Sequence, residues 1–371
     1  MKINSIKIIN FRNHLEKELT FNYGINVLWG NNGAGKTAIL EAISVCSISK
    51  TFTATPNISL INKNKKQYYL SVNCTNDLNI PYKISISYTS KQSKEISSNA
   101  GNHLLPKDII GEIPLITLHP DNKNITSGVP EFRRSFINGL LSQASKNYLE
   151  KLFEYRRLLK QRNSLLSQFN GNINSNNESL LSILSQWTEV FINTSANLMI
   201  RRNEFIKEFK PIFVDAYKII SNSNEYVSIK YLPNTINDKV IRKEQIIEML
   251  NQRSNTLLNA EIKRSITLFG PHKDDIKISI NNGVAKDYAS QGQHKSLLIA
   301  IKFAEFQYLL EKKNETPIIL FDDIFSELDN TRIGQVLELL SQSKAQIFIT
   351  LTDPTIIKNA TNIPTNLIKI C

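Results

Sequence analysis

The sequence predicts an α/β fold in which strand-rich segments at both ends of the chain enclose a helical middle. Three observations lead to this prediction. The apolar run at 25–29 leads through a glycine-rich loop into a helical pattern, and a second apolar run at 317–321 ends in two carboxylates. Between them, apolar residues recur at three- and four-residue spacing over 147–169 and 180–205, as in amphipathic helices.

The glycine-rich loop matches the GxxxxGK[ST] pattern of a phosphate-binding loop, and it lies between a strand and a helix as that pattern requires. Glycine allows positive φ and close approach of the backbone, so consecutive N–H groups can converge on a phosphate at the helix N-terminus. Lys36 is expected to reach the β- and γ-phosphates, and Thr37 to ligate Mg²⁺. The predicted nucleotide-binding residues of the loop are Gly30, Asn31, Asn32, Gly33, Ala34, Gly35, Lys36 and Thr37.

Asp322 and Asp323 end the second apolar run, where open α/β sheets place their ligands. The first acid is expected to hold Mg²⁺ opposite Thr37, and the second to orient or deprotonate the attacking water. Lys36, Asp322 and Asp323 are therefore the predicted catalytic residues. A polar turn at 326–329 follows the acids and is a candidate for carrying the nucleotide state across a subunit contact.

Ser290, Gly292 and Gln293 precede a further helical pattern and predict a second anion site at its N-terminus. One chain would then have a single nucleotide loop but two anion sites. A two-fold dimer explains this, because it lets two chains share each nucleotide. Each chain would give its serine–glycine turn to the γ-phosphate held by the other. The sequence therefore predicts a homodimer that forms in the presence of the nucleotide.

Alternating strands at 68–74 and 82–88 predict an antiparallel β subdomain. We divide the chain into an N-terminal lobe at 1–125, a helical insertion at 126–264 and a C-terminal lobe at 265–371. The two helices of the insertion would each be about 35 Å long at 1.5 Å per residue. They predict either a short, coiled-coil-like arm or a compact helical domain, and the pattern does not choose between the two.

The charge balance favours a polyanionic partner such as DNA. Forty-five Lys and Arg against 33 Asp and Glu give a net charge of +12. A basic run at 63–66 is a candidate DNA contact or a solvated turn. The other candidate DNA-binding side chains are Arg133, Arg134, Arg156, Arg157, Lys160, Arg162, Arg201, Arg202, Lys207 and Lys210.

The three cysteines are widely spaced and lack metal-binding spacing, which predicts reduced thiols in a cytoplasmic protein. No apolar run is long enough to cross a membrane, and the N-terminus has no signal-peptide pattern. We therefore expect no membrane association.

In this order, the motifs resemble the ABC-type ATPase heads of chromosome-maintenance and DNA-repair proteins, and more specifically the RecF family of bacterial recombination mediators. The matching elements are Phe11-Arg12-Asn13, residues 30–37 with 40–43, 132–136, 270–275, 290–293 and 322–329. The resemblance implies an ABC-type head with a mixed sheet, an antiparallel β subdomain and an inserted helical arm. It also implies that Arg12 contacts the nucleotide, that Ser290 and Gly292 complete the partner subunit's site, and that 270–275 lie against the signature turn at 290–293.

The resemblance further implies an ATP- and Mg²⁺-dependent dimer that binds double-stranded DNA and its junctions with single-stranded regions, and that helps to load recombinase at gaps. Hydrolysis is expected to be weak and DNA-stimulated, and to act as a conformational switch. The implied setting is DNA repair, replication and the SOS response at the nucleoid, with RecR- and RecO-type mediators as partners.

The chain departs from related patterns at several places, two of which lie near the predicted site. His294 and Lys295 follow the signature where RecF chains commonly carry Gln-Arg, and Thr350 and Thr352 lie where transporter ATPases have a switch histidine. The alternative function is the ATPase subunit of a membrane transporter, although the roughly 250 residues between loop and signature exceed what such a subunit uses. A P-loop phosphotransferase is a third hypothesis, which explains neither the signature nor the polar turn.

Overall fold

The computed structural model describes residues 1–90, 94–99, 101–171, 178–221, 224–234, 242–325, 333–334, 336–338, 344–360 and 363–371. The chain divides into two compact units. The first comprises 1–123, 216–222 and 295–371, and the second comprises 124–215 and 223–294. The predicted division into three segments stays a prediction.

The strands are, in chain order, β1 (Lys2–Phe11), β2 (His14–Thr20), β3 (Ile25–Trp29), β4 (Gln67–Thr75), β5 (Pro81–Thr89), β6 (Glu95–Ser98), β7 (His103–Leu104), β8 (Leu115–Leu118), β9 (Val227–Leu232), β10 (Asp275–Ile280), β11 (Gly283–Val284), β12 (Ile318–Asp322), β13 (Ile347–Leu351) and β14 (Thr365–Lys369). The α-helices are α1 (Lys36–Ile48), α2 (Asn124–Ser127), α3 (Pro130–Ala144), α4 (Lys146–Gln168), α5 (Glu178–Ser221), α6 (Lys243–Arg264), α7 (Ala285–Tyr288), α8 (Gln291–Lys313) and α9 (Thr355–Ala360).

The first unit contains one parallel and one antiparallel sheet. Its parallel sheet has the order β14-β3-β13-β12-β8. Strands β3, β13, β12 and β8 are buried along most of their length, as expected where both faces of a sheet are covered, whereas the edge strand β14 is only partly buried. Its antiparallel sheet has the order β2-β1-β4-β5-β6-β7. Helix α1 shares one buried core with both sheets. The predicted α/β class with an antiparallel β subdomain is confirmed. The parallel and antiparallel strands of this unit form two separate sheets rather than one mixed sheet.

The second unit combines helices with a small sheet of order β11-β10-β9. A two-residue turn follows β10: Asn281 and Asn282 have φ of 47° and 68°, and Ile280 pairs with Gly283. Two consecutive left-handed residues are what a two-residue hairpin turn requires. Asparagine tolerates that conformation better than most residues because its short side chain can bond locally.

The helical insertion differs from the predicted pair of equal helices. Helix α5 has 44 residues, about 66 Å at 1.5 Å per residue, and it contains Pro211. Proline ordinarily ends a helical pattern, but the fully buried Phe209 and Phe213 anchor the helix on both sides of it. Helix α6 was not predicted; it adds Ile262 to a core that also contains Leu166 and Leu184, so three helices pack together here.

No helix in the described part of the chain has both the length and the apolarity needed to cross a membrane.

Candidate nucleotide-binding site

The carboxyl ends of three neighbouring strands bring the predicted site residues of the first unit together. Strand β13 lies between β3, which leads into the phosphate loop, and β12, which ends at the tandem acids. The Thr37 hydroxyl donates to Asp322 Oδ1 over 2.9 Å, which joins the loop to the acids directly. The site is therefore built at the edge where open α/β sheets place their ligands.

The phosphate loop holds its shape through its own lysine. Lys36 Nζ donates to the carbonyl oxygens of Gly30 and Asn31 at 2.7 and 2.8 Å. Glycine is required at position 30, because a Cβ there would lie 2.2 Å from the carbonyl oxygen of Ile370. Lys36 and Thr37 begin α1, and the first N–H groups of a helix have no partner within it. Those N–H groups and the Lys36 ammonium fit a phosphate group.

Side chains of the turn between β1 and β2 form hydrogen bonds to the phosphate loop, which the sequence analysis did not predict. Asn13 Nδ2 donates to the Gly33 carbonyl oxygen at 3.0 Å, and His14 Nε2 is 3.0 Å from the Gly35 carbonyl oxygen. A Cβ at Gly35, whose φ is +96°, would lie 2.4 Å from the same His14 nitrogen. The only sequence signal for this support was that Asn13 directly follows Arg12.

Asp322 is buried and bound by two hydroxyls. Its Oδ1 accepts from Thr37 and from Thr350, each at 2.9 Å. Burial raises the pKa of the Asp322 carboxyl, and the hydroxyls of Thr350 and Thr37 act in the opposite direction. Asp323 has a left-handed backbone with φ of +51°, and its N–H donates to Thr350 Oγ1 at 3.0 Å. Thr350, to which the sequence assigned no role, thus connects both acids.

The oxygen atoms of Thr37 and Asp322 fit Mg²⁺ better than a metal whose ligands all come from protein side chains. The described residues contain no cluster of three or more His, Cys, Asp or Glu side chains that could hold a metal. Mg²⁺ usually keeps several waters and takes one or two carboxylates together with substrate phosphates. The Thr37 hydroxyl and the Asp322 carboxylate, side by side at the end of the phosphate loop, supply that kind of site.

A cleft of about 810 Å³, which we call the nucleotide cleft, opens beside these residues. Its volume is within the usual range for ligand sites. Its lining residues are Arg12, Asn13, Asn32, Gly33, Gly35, Lys36, Thr37, Ala38, Glu41, Thr53, Thr55, Ser59, Ile61, Asn62, Lys63, Asp323, Thr350 and Thr352. Of the predicted loop residues, Gly30, Asn31 and Ala34 are not part of this lining.

Arg12 lies on the wall of the cleft but is already paired. Its Nε and Nη2 donate to the two carboxylate oxygens of Glu41, each over 2.8 Å, and Nη2 also contacts Thr55 Oγ1 at 3.1 Å. Because Glu41 binds the edge of the guanidinium, the flat faces of Arg12 remain available for stacking.

Lys63 also lines the nucleotide cleft. The sequence offered the basic run at 63–66 as a DNA contact or a solvated turn. The structure gives Lys63 a different setting, on the same cleft wall as Asn62, whose side chain donates to the Arg12 carbonyl oxygen at 2.6 Å.

The predicted signature turn belongs to the second unit. Ser290 Oγ accepts from the Gln293 N–H at 3.2 Å, and Gln293 Oε1 accepts from the Ser290 N–H at 2.7 Å. This reciprocal pair is a capping box at the start of α8. Gln293 Nε2 also donates to Glu225 at 2.6 Å. The predicted polar turn at 326–329 lies outside the described residues.

Three arginines assigned to a DNA surface are instead buried in ion pairs, which corrects that part of the prediction. Arg133 donates to both oxygens of Asp275 at 2.8 and 2.9 Å. Arg162 contacts Glu261 at 2.6 Å, and neither side chain is exposed. Arg202 is 3% exposed and lies 3.6 Å from Asp274.

The exposed basic residues of α4 retain their candidate role. They are Arg156, Arg157 and Lys160.

The segment 270–275 contacts two helices of the insertion, and its expected position against the signature turn stays a prediction. Tyr155 on α4 bonds His272 Nδ1 at 2.6 Å, and Arg202 on α5 donates to the Pro271 carbonyl oxygen at 2.7 Å. The side chain of Asp274 is fully buried and bonds the Tyr231 hydroxyl on β9. Burial raises the pKa of the Asp274 carboxyl, and the Arg202 guanidinium acts against that shift.

A parallel sheet that carries a phosphate loop and tandem acids at one edge, together with a signature turn capping a separate helix, defines an ABC-type ATPase head. A family model for the RecF/RecN/SMC N-terminal domain matches residues 2–369. Solved SMC heads have the same fold, with a TM-score of 0.53 at 15% identity.

More similar proteins narrow the assignment. The DNA replication and repair protein RecF of Prosthecochloris aestuarii is 36% identical over 357 residues, 96% of this chain and 94% of that protein. The RecF of Chloroherpeton thalassium is 33% identical and covers 95% of each chain. A solved structure of the recombination mediator RecF with ATP has a TM-score of 0.88 at 30% identity, over 95% of this chain and 92% of that one. The chain therefore belongs to the RecF family of DNA replication and repair proteins, within the wider RecF/RecN/SMC group, and the transporter alternative is not favoured.

Proposed function

We propose that this protein is an ATP-dependent DNA-binding switch of recombinational repair and replication restart. ATP and Mg²⁺ join two heads, the joined state binds double-stranded DNA at junctions with single-stranded gaps, and slow hydrolysis releases it. In this role the protein helps to load recombinase at the gap.

The observation that carries the proposal is the incomplete enclosure of the nucleotide cleft. The cleft is lined by the phosphate loop, Thr350 and Asp323, all in the first unit. The signature turn lies in the second unit, and its Ser290 is exposed. In a two-fold dimer, each Ser290 and Gly292 would meet the γ-phosphate held by the partner subunit, since an exposed capped helix start presents N–H groups suited to an anion.

The tandem acids support slow turnover. Asp322 would hold Mg²⁺ with Thr37, which neutralises charge on the phosphates, and Asp323 would orient the attacking water. Aspartate has a shorter reach than the glutamate used by many ABC heads. We expect turnover well below the enzyme median of about ten per second, and a wild-type rate near that median would contradict this assignment.

The charge distribution supports DNA as the partner. The net charge is +12, and three exposed cations lie within five residues on α4. Phosphate contacts of this kind give affinity that falls with salt and is independent of sequence. RecR- and RecO-type mediators are the proposed protein partners, and the proposed location is the nucleoid in the cytoplasm; a solved relative is described as part of the RecFOR pathway.

The test is the oligomeric state by analytical ultracentrifugation, with and without ATP and Mg²⁺, for wild type, Lys36→Met and Ser290→Arg. Wild type should dimerise only with ATP, and both variants should stay monomeric. Lys36→Met should also lose ATP binding, whereas Ser290→Arg should bind ATP as a monomer because its own phosphate loop is intact.

Ser182→Arg is the matched control, since it places the same side chain at an exposed position on α5. It should dimerise like wild type. A wild-type protein that remains monomeric at saturating ATP, or that binds DNA equally well without nucleotide, would refute the proposed switch.

A further inference from the structure

The side chains that line the nucleotide cleft suit the phosphates of a nucleotide but not its base. Among its described lining residues there is no aromatic side chain. Ile61 and Ala38 supply apolar surface, and the Arg12 guanidinium, whose edge is held by Glu41, is the largest planar group among the described lining residues. A purine has two flat faces, and burying them commonly uses aromatic rings or guanidinium planes. A second stacking surface must therefore come from elsewhere.

Tyr288 is the most exposed aromatic side chain in the described part of the chain, at 75%. It ends α7, two residues before Ser290. The base of its ring is nevertheless fixed, because a Cβ at Gly283 would lie 3.1 Å from both Cβ and Cγ of Tyr288. Gly283 does not have a positive φ, and a larger residue there would require Tyr288 to shift by a few tenths of an ångström.

We propose that Tyr288 of the partner subunit provides the aromatic surface against which the base of the bound nucleotide packs. The inference rests on the proposed ATP-dependent dimer, in which Ser290 meets the γ-phosphate across the interface. Two residues of extended chain span at most roughly 7 Å. Tyr288 therefore lies close enough to Ser290 for its ring to extend past the phosphates toward the nucleoside.

The local charge favours a single nucleotide over a DNA strand as the occupant. The exposed lysine at 286 is matched by the exposed carboxylate of Asp287, next to the tyrosine. A ring that stacks on the bases of single-stranded DNA is usually set in a positively charged groove. The capping box formed by Ser290 and Gln293 also fixes the turn, so the tyrosine and the signature serine are presented together.

The inference is tested with Tyr288→Ala and Tyr288→Phe, and with Tyr226→Ala as a matched control, since Tyr226 is an exposed tyrosine of the same unit at 57%. The ATP concentration at half-dimerisation is measured by ultracentrifugation in the presence of Mg²⁺. Loss of one stacking contact should raise it roughly tenfold in Tyr288→Ala. Tyr288→Phe and Tyr226→Ala should stay close to wild type, and circular dichroism checks that each variant is folded.

A second readout is the fluorescence of 1,N6-ethenoadenosine triphosphate, which stacking quenches. The wild-type dimer should quench it, and the Tyr288→Ala dimer, formed at higher nucleotide concentration, should not. Dimerisation and quenching unchanged in Tyr288→Ala would overturn this inference and leave the ATP-dependent dimer intact. If Tyr288→Ala dimerises normally but loses affinity for DNA, the ring contacts DNA, and this inference is overturned as well. A wild type that never dimerises would overturn the proposed function and this inference together.

Discussion

The Thr350 hydroxyl donates to Asp322 Oδ1 over 2.9 Å and accepts the N–H of Asp323 over 3.0 Å. A single side chain of β13 thus contacts both acids at the end of β12. A neutral hydroxyl that donates to one acid and fixes the backbone of the next can orient both without adding charge. We therefore predict that Thr350, which also lines the nucleotide cleft, acts mainly by positioning the two acids.

Thr350→Val removes that hydroxyl at nearly constant volume. Partners of metal-binding residues typically contribute 10- to 100-fold to activity, so we expect single-turnover ATP hydrolysis to fall by about that factor. Equilibrium ATP affinity should change less than about threefold, since the phosphate loop is untouched. Thr117→Val on β8 is the control and should leave both quantities unchanged. An equal loss of affinity and rate would argue against a positioning role.

Lys63→Ala tests whether this lysine acts at the nucleotide or on DNA. Lys63 and Lys65 are both exposed, but Lys63 lines the nucleotide cleft and Lys65 is not among its lining residues. Removing a cation from a phosphate site should weaken ATP binding roughly three- to tenfold, measured by equilibrium titration. Lys65→Ala removes the same charge two residues away and should have little effect. Unchanged ATP affinity in Lys63→Ala, with weaker DNA binding, would restore the DNA interpretation of this run.

Arg162→Met should destabilise the second unit strongly. Arg162 and Glu261 are both fully buried and lie 2.6 Å apart, so the substitution leaves an unpaired buried carboxylate. Breaking such a pair costs about 3–5 kcal/mol of unfolding free energy, measured by urea denaturation. Glu261→Gln in the Arg162→Met background should recover part of that loss because no buried charge remains. Arg156→Met, at an exposed position on the same helix, should change stability by less than about 0.5 kcal/mol.

His272 should make the fold sensitive to acid. Burial, with the nearby positive charges of Lys273, Arg134 and Arg162, lowers the pKa of His272 to about 4. The neutral ring donates from Nε2 to the Thr267 carbonyl oxygen at 3.0 Å and accepts the Tyr155 hydroxyl at Nδ1 over 2.6 Å. Because the folded pKa lies below the unfolded value of about 6.5, stability is full above pH 6.5 and is lost as the pH falls toward 4.

The expected loss from this one histidine is about 2 kcal/mol between pH 7 and pH 5. His272→Gln should therefore lose less stability than wild type over that interval, whatever its stability at pH 7. His103→Gln, at an exposed position, should show the wild-type pH dependence. Identical slopes for wild type and His272→Gln would show that this ring does not carry the effect.

The exposed cations of α4 are tested by substituting Arg156, Arg157 and Lys160 with Ala together. Each phosphate contact contributes about 0.9 to the slope of log affinity against log salt. Loss of three contacts should flatten the slope by about 2 to 3 in the presence of ATP. The control removes the same charge from exposed positions of the first unit outside the basic run at 63–66, namely Lys83, Lys107 and Lys344, and should keep the wild-type slope.

Features that depend on neighbours in the chain were accessible from the sequence. The phosphate loop, the acids that end a buried strand and the turn at Ser290 that begins a helix all arise from residues within a few positions of one another. Their chemistry follows from local backbone geometry, and short motifs encode it. The predicted helical pattern at 180–205 underestimated α5, which continues through Pro211 to Ser221, with the buried Phe209 and Phe213 on both sides of the proline.

Pairing and burial required the folded chain. Arg133 and Arg162 look like surface cations in a basic sequence, yet their carboxylate partners lie 142 and 99 residues away. Thr350 reaches Asp322 across 28 positions because β13 was inserted between two strands, an order that periodicity does not encode. The residue type alone gives the charge of a side chain. Whether that charge contacts water, a phosphate or a buried partner depends on contacts that form only when distant segments pack.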